Sequence, residues 1–202
     1  MTKIKLCGLS RPCDIETANR LRPEYIGFVF APNSRRCVAP ERAAELRALL
    51  APGIQAVGVF VNAPPETVAG LLNRGVIDLA QLHGAEDEAY LSRLRALTDK
   101  PVIQAFRIRS EEDCLTARRS SADYILLDSG AGTGKAFDWS LIRELGRPYF
   151  LAGGLGPENV AASVRLLRPY AVDVSSGIET EGKKDPQKMA DFVSAVRREG
   201  AE

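Results

Sequence analysis

DYILLDSGAGTGKAFDW, residues 123–139, runs from an apolar strand-like segment into a carboxylate, then through a glycine-rich loop to a helix start. Tyr124–Leu127 read as a buried strand, and Asp128 closes it with one acid at the edge of a core. The same form, apolar strand then polar tip then amphipathic helix, recurs in both directions along the chain. Strand candidates fall at 4–8, 25–30, 56–61, 79–84, 102–108, 124–128, 149–154 and 171–177. Helix candidates lie between and after them at 11–21, 40–50, 64–74, 87–97, 111–120, 139–145, 156–167 and 185–198. Strand starts are 21 to 31 residues apart, so a β-then-α unit repeats eight times. Near-continuous apolar strands alternating with helices predict a parallel sheet with helical crossovers.

Local punctuation agrees with that division. Pro40, Pro64–Pro65 and Asp185–Pro186 stand where helices begin, since proline suits a first turn. Gly75 stands where one ends. Asp138 is placed to cap the helix at 139–145. The expected fold class is therefore α/β, a (β/α)8 TIM barrel formed as a single domain over residues 1–202, with an open doubly wound sheet as the alternative.

Composition narrows the function. The 202 residues carry a formal net charge of +1 and are 45% hydrophobic. That is enough for one sizeable core. It offers no basic face for nucleic acid. Arg197–Arg198 closes a helix, where cations suit the dipole. Apolar runs of about five to seven residues fall far short of the roughly 18 that a membrane span needs, and MTKIKLCG has no signal-peptide core. Cys7, Cys13, Cys37 and Cys114 follow no metal-ligand spacing, and His83 is the sole histidine, so no metal is expected. Sparse cysteine suggests reduced thiols and a cytoplasmic protein.

In a barrel the active site forms at the C-terminal ends of the strands. Those ends carry Cys7, Gln81 with His83, Asp128, Gly153–Gly154, and Asp173 with Ser175–Ser176–Gly177. Side chains two apart share a face. Lys5 with Cys7, Gln81 with His83, and Asp173 with Ser175 should thus point together, and inward. Polar groups inside an apolar barrel are costly without partners or ligand. Free cysteine is often only a small buried hydrophobe, and Cys13, Cys37 and Cys114 are read that way. Cys7, beside Gly8 and two residues from a lysine that favours the thiolate, is read as functional.

Segment 129–136 is not a P-loop, because Ser129 and Ala136 stand where that motif needs Gly and Ser or Thr. Gly130, Gly132 and Gly134 suit a lid instead, with Lys135 reaching the ligand. The tips of strands seven and eight suit a phosphate, held by backbone N–H groups and a helix N-terminus. Arg36 can meet a planar carboxylate in bidentate fashion. His83 is read as structural.

Together, KLCGLS (5–10), GFVFAPNSRR (27–36), VGVFVNAP (57–64), QLHGAED (81–87), LLDSGAGTGKAFDW (126–139), LAGGL (151–155), and DVSSGIE with KD (173–179, 184–185) resemble, in order, the segments of phosphoribosylanthranilate isomerases. Cys37 departs from the aromatic residue more usual in that family. The resemblance implies a barrel enzyme of tryptophan biosynthesis that converts an aminoaldose to an aminoketose, an Amadori rearrangement, without cofactor or metal. It implies Cys7 as general base, Asp128 as general acid and Arg36 as partner of the anthranilate carboxylate. The GG and SSG turns would hold the phosphate, with Asp173 beside them. The partner would be a small phosphorylated substrate met by a monomer or homodimer. Two alternatives stay open: a sugar isomerase serving both histidine and tryptophan synthesis, and a non-catalytic phosphate-ligand-binding barrel.

Overall fold

The structure is a computed structural model that describes residues 1–128, 142 and 145–199. Along its first strand, β1 (Lys3–Cys7), Ile4 and Leu6 face outward into the layer beneath the helices, while Lys5 and Cys7 face in. The same two-residue alternation runs along β2 (Tyr25–Val29), where Ile26 and Phe28 join the outer layer and Tyr25 and Val29 the interior. The remaining strands are β3 (Gln55–Phe60), β4 (Leu79–Leu82), β5 (Val102–Arg107), β6 (Tyr124–Asp128), β7 (Tyr149–Ala152) and β8 (Ala171–Val174). They pair in parallel and in chain order, and β8 returns to β1, which closes the barrel and rules out an open sheet.

The crossovers are α1 (Pro12–Leu21), α2 (Pro40–Ala48), α3 (Pro65–Asn73), α4 (Glu88–Arg95), α5 (Glu111–Arg119) and α6 (Val160–Leu167), and α7 (Pro186–Glu199) follows the last strand. Proline opens α2, α3 and α7 as expected. Asp185 caps α7 by accepting from the amides of Gln187 at 2.9 Å and Lys188 at 3.2 Å. Gly75, at φ 71°, ends the α3 segment in the left-handed region that glycine enters freely. The cap Asp138, the loop from Gly130 to Lys135, and the expected helix at 139–145 apart from Ile142 and Leu145 lie outside the described residues.

Several boundaries differ from the sequence reading, and two of the differences have a visible cause. The α6 helix begins at Val160, not 156, because Asn159 first ties a turn: its Oδ1 accepts from Gly156 N at 2.9 Å and its Nδ2 donates to Gly154 O at 2.8 Å. Strand β7 stops at Ala152 because Gly153 (φ 93°) and Gly154 (φ 64°) turn the chain out of the extended region. Among the described residues no helix is long and apolar enough to cross a membrane.

Candidate active site

The barrel interior is layered. Tyr25, Val57, Leu79, Ile103, Leu126 and Phe150 fill its lower part. Above them, Lys5 is fully buried and donates to both carboxylate oxygens of Asp173 at 3.0 Å and to Gln81 Oε1 at 2.7 Å. Barrel closure creates this cluster, because the β1–β8 register sets Lys5 directly beside Asp173. Burial pulls the Lys5 ammonium down, but the adjoining Asp173 carboxylate outweighs it, and the group ends above its ordinary value. A buried ammonium is tolerable only with such a partner.

At the C-terminal mouth a cavity of ≈ 380 Å³ opens over this cluster. Cys7 and Asp128 both line it, together with Arg36, Gly153, Gly154, Asp173, Ser175 and Ser176. The strands that carry Cys7 and Asp128 are β1 and β6, three places apart around the eight-stranded ring. The expected inward direction of Lys5 and Cys7, Gln81 and His83, and Asp173 and Ser175 therefore matches their positions in or just below the cavity. Gly177 does not line it. A side chain there would strike the Leu155 carbonyl, so Gly177 lets the loops after β7 and β8 come together.

Cys7 corrects one expectation. Its thiol is pushed above the ordinary value, chiefly by burial; the Lys5 charge pulls it down, and the Asp173 charge pushes it up again. The lysine does favour the thiolate, but its charge is shared with a carboxylate, and desolvation wins. Space for the sulfur comes from β2. A Cβ at Gly27 would sit 2.6 Å from Cys7 Sγ, so only glycine fits opposite it. Cys114 is buried as expected, whereas Cys13 and Cys37 are exposed, because each lies on a face turned from the core.

Arg36 is held by a protein carboxylate that sequence reading did not single out. Its Nε lies 2.6 Å from Glu179 Oε1, and its Nη2 lies 2.9 Å from Glu179 Oε2. Arg35 and Lys184 reach the same carboxylate at 2.6 and 2.7 Å. Burial opposes ionisation of Glu179, but the hydrogen bonds from Arg36 and Lys184 dominate and draw it down to about 2. Three cations on one acid leave net positive charge at this side of the mouth. Five N–H donors on a guanidinium leave Arg36 with an edge for a second carboxylate. Glu179 and Lys184 come from a short antiparallel hairpin, Glu179–Thr180 with Lys183–Lys184, whose only sequence signal was the DVSSGIE and KD pair.

His83, read from sequence as structural, lines the cavity too. Its Nε2 lies 3.4 Å from Asp128 Oδ2 and its Nδ1 lies 2.8 Å from Gln81 Nε2. Nothing in the local sequence pointed to this, since β4 and β6 are not paired and are brought together only by their shared neighbour β5.

A family model described as N-(5'phosphoribosyl)anthranilate (PRA) isomerase matches residues 4–195. A relative described as N-(5'-phosphoribosyl)anthranilate isomerase, from Endomicrobium trichonymphae, is 44% identical over 202 residues, covering 98% of this chain and 99% of its own. One of the same description from Thermoanaerobacter sp. (strain X514) is 43% identical over 204 residues, with 98% of each chain covered. The solved phosphoribosyl anthranilate isomerase from Thermotoga maritima superposes with a TM-score of 0.90 at 36% identity, covering 98% of this chain and 100% of its own. A solved structure of such an isomerase in complex with reduced 1-(o-carboxyphenylamino)-1-deoxyribulose 5-phosphate gives a TM-score of 0.88 at 35% identity, covering 98% and 100%.

Proposed function

The chain belongs to the N-(5'-phosphoribosyl)anthranilate isomerase family, and on that premise we propose that Cys7 and Asp128 are the base and acid of its reaction. The enzyme carries out the Amadori rearrangement of N-(5-phospho-β-D-ribosyl)anthranilate to 1-(2-carboxyphenylamino)-1-deoxy-D-ribulose 5-phosphate, a step of tryptophan biosynthesis. One observation carries the role assignment: a thiol and a carboxyl from well-separated strands line a single cavity.

Asp128 protonates the ribose ring oxygen as the anthranilate nitrogen pushes the C1′–O bond open, leaving a protonated imine. The Cys7 thiolate then removes the proton from C2′, giving an enolamine that tautomerises to the ketone. No electrons enter or leave, so acid–base groups suffice for the chemistry. An acid and a base in one pocket need environments that separate them. Burial among Val29 and Val59 supplies this for Cys7, on the side of the ring where Lys5 and Lys184 steady the thiolate once formed.

Arg36 takes the anthranilate carboxylate on its remaining donor edge, with Glu179 fixing the guanidinium plane. The phosphate rests at the GG and SSG turns, where Gly153, Gly154, Ser175 and Ser176 line the cavity and Gly177 lets the two loops close together. Asp173 faces the substrate from below, with its charge balanced by Lys5. Residues 1–202 act as one barrel domain in the cytoplasm, as a monomer or homodimer, which light scattering of the purified protein decides.

The test is direct. Purified protein mixed with freshly made phosphoribosylanthranilate should discharge the fluorescence of the anthranilate group, and the gene should rescue a tryptophan auxotroph lacking this step. Binding without loss of fluorescence would overturn the enzymatic reading and favour a ligand-binding barrel.

A further inference from the structure

His83 sits between two groups whose hydrogen-bonding directions are fixed from elsewhere. Just beneath the cavity, Lys5 Nζ lies 2.7 Å from Gln81 Oε1. An ammonium can only donate, so the Gln81 oxygen must face it and the Gln81 amide NH2 must face the other way. That NH2 lies 2.8 Å from His83 Nδ1 and can itself only donate. Nδ1 must therefore present its lone pair, which puts the ring proton on Nε2. Nε2 is the nitrogen turned to Asp128, 3.4 Å from its Oδ2. Every link has one permitted direction, and its origin is a buried charge anchored by Asp173 at 3.0 Å.

We infer that Lys5 and Gln81 form a relay that sets the tautomer of His83, making His83 a positioning residue whose Nε2–H is offered to Oδ2 of Asp128. The inference rests on the reading of Asp128 as the proton donor and deepens it. When Asp128 releases its proton the carboxylate gains negative charge, and a donor already in place meets the charge as it develops. The opposite tautomer would aim a lone pair at the same oxygen. At 3.4 Å the contact is longer than a formed hydrogen bond, as contacts in unliganded catalytic sites often are before they tighten around substrate. Because Nδ1 is already occupied by a donor, His83 is excluded as the residue that reprotonates Asp128 between turnovers.

His83 is the sole histidine of the chain, so its ring can be read without assignment ambiguity. Long-range 1H–15N spectra of protein labelled with 15N-histidine should show the proton on Nε2 and a bare Nδ1. Gln81→Glu replaces the donor facing Nδ1 by an acceptor. It should move the proton to Nδ1 and lower kcat about 10²-fold, the scale of one acid–base contribution, with KM within about twofold. His83→Gln keeps an N–H within reach of Asp128 and should retain at least about tenfold more kcat than His83→Leu. A wild-type ring protonated on Nδ1, or split evenly between tautomers, overturns the inference even if no variant folds. A tautomer switch in Gln81→Glu with unchanged kcat overturns it as well. Wild-type protein that shows the Nε2 tautomer but turns over no substrate sinks the isomerase reading instead, so the two failures are distinguishable.

Discussion

The two ends of the barrel interior are built from alternate residues of the same strands, yet they use polar groups in opposite ways. At the bottom, Tyr25, Tyr124, Phe150 and Tyr170 close the interior with ring centroids 5.3 to 5.8 Å apart. Their hydroxyls are turned on one another and on a lysine: Tyr25 and Tyr170 oxygens are 3.1 Å apart, and Lys3 Nζ donates to the Tyr170 hydroxyl at 2.7 Å. At the top, polar groups meet in the same manner at their roots, as Lys5 does with Asp173, but Cys7, Asp128 and the free edge of Arg36 border open space. A polar group whose partners are all protein stabilises the fold. One that borders a cavity is available for chemistry.

The largest effects should come from the mouth. Cys7→Ala and Asp128→Asn should each lower kcat/KM about 10²–10⁴-fold while thermal unfolding stays close to wild type; a variant of either kind that turns over at near wild-type rate breaks the role assignment. At the floor the pattern should invert. Phe150→Ala removes a fully buried ring and should cost about 3–5 kcal/mol of stability, leaving kcat of the folded fraction unchanged in the cold. If kcat fell alongside stability, the two ends would not be separable.

Arg36→Met deletes charged hydrogen bonds worth roughly 1.5–3 kcal/mol, so KM should rise at least about tenfold with kcat largely kept. A loss confined to kcat would remove Arg36 from the carboxylate site. A pH series sharpens the contrast further. Because burial holds the Cys7 thiol above its ordinary value and the base must be ionised, kcat/KM should climb as pH rises through that thiol. Lys5→Met removes a charge that favours the thiolate and leaves Asp173 unbalanced, so this rising limb should move to higher pH; movement to lower pH would contradict the account. The smallest effect concerns stability in acid. Glu179 is held at about 2 when folded, below the roughly 4.3 of an unfolded glutamate. Its contribution is fully present above pH of about 4.3 and is lost as pH falls toward 2. Glu179→Gln should flatten that part of a stability-against-pH curve, which denaturant titrations at several pH values would measure.

Much of this architecture was legible in the chain itself. Two-residue alternation in KIKLC and YIGFV, prolines at helix starts and Gly75 at a helix end are local signals, and local sterics decide them. The same alternation turned Lys5 with Cys7, Gln81 with His83, and Asp173 with Ser175 to the inner side. What periodicity does not carry is which tips stand at the same height around the ring. That Lys5 spends its charge on Asp173, that Gly27 clears room for Cys7 Sγ, that Glu179 grips Arg36 and that His83 faces Asp128 all depend on strand register and on β8 closing against β1, across 168 residues in the case of Lys5 and Asp173. The ionisation of Cys7 likewise needed three dimensions, because its direction is set by the balance of burial against two neighbouring charges of opposite sign, and both depend on distances that exist only once the barrel has closed.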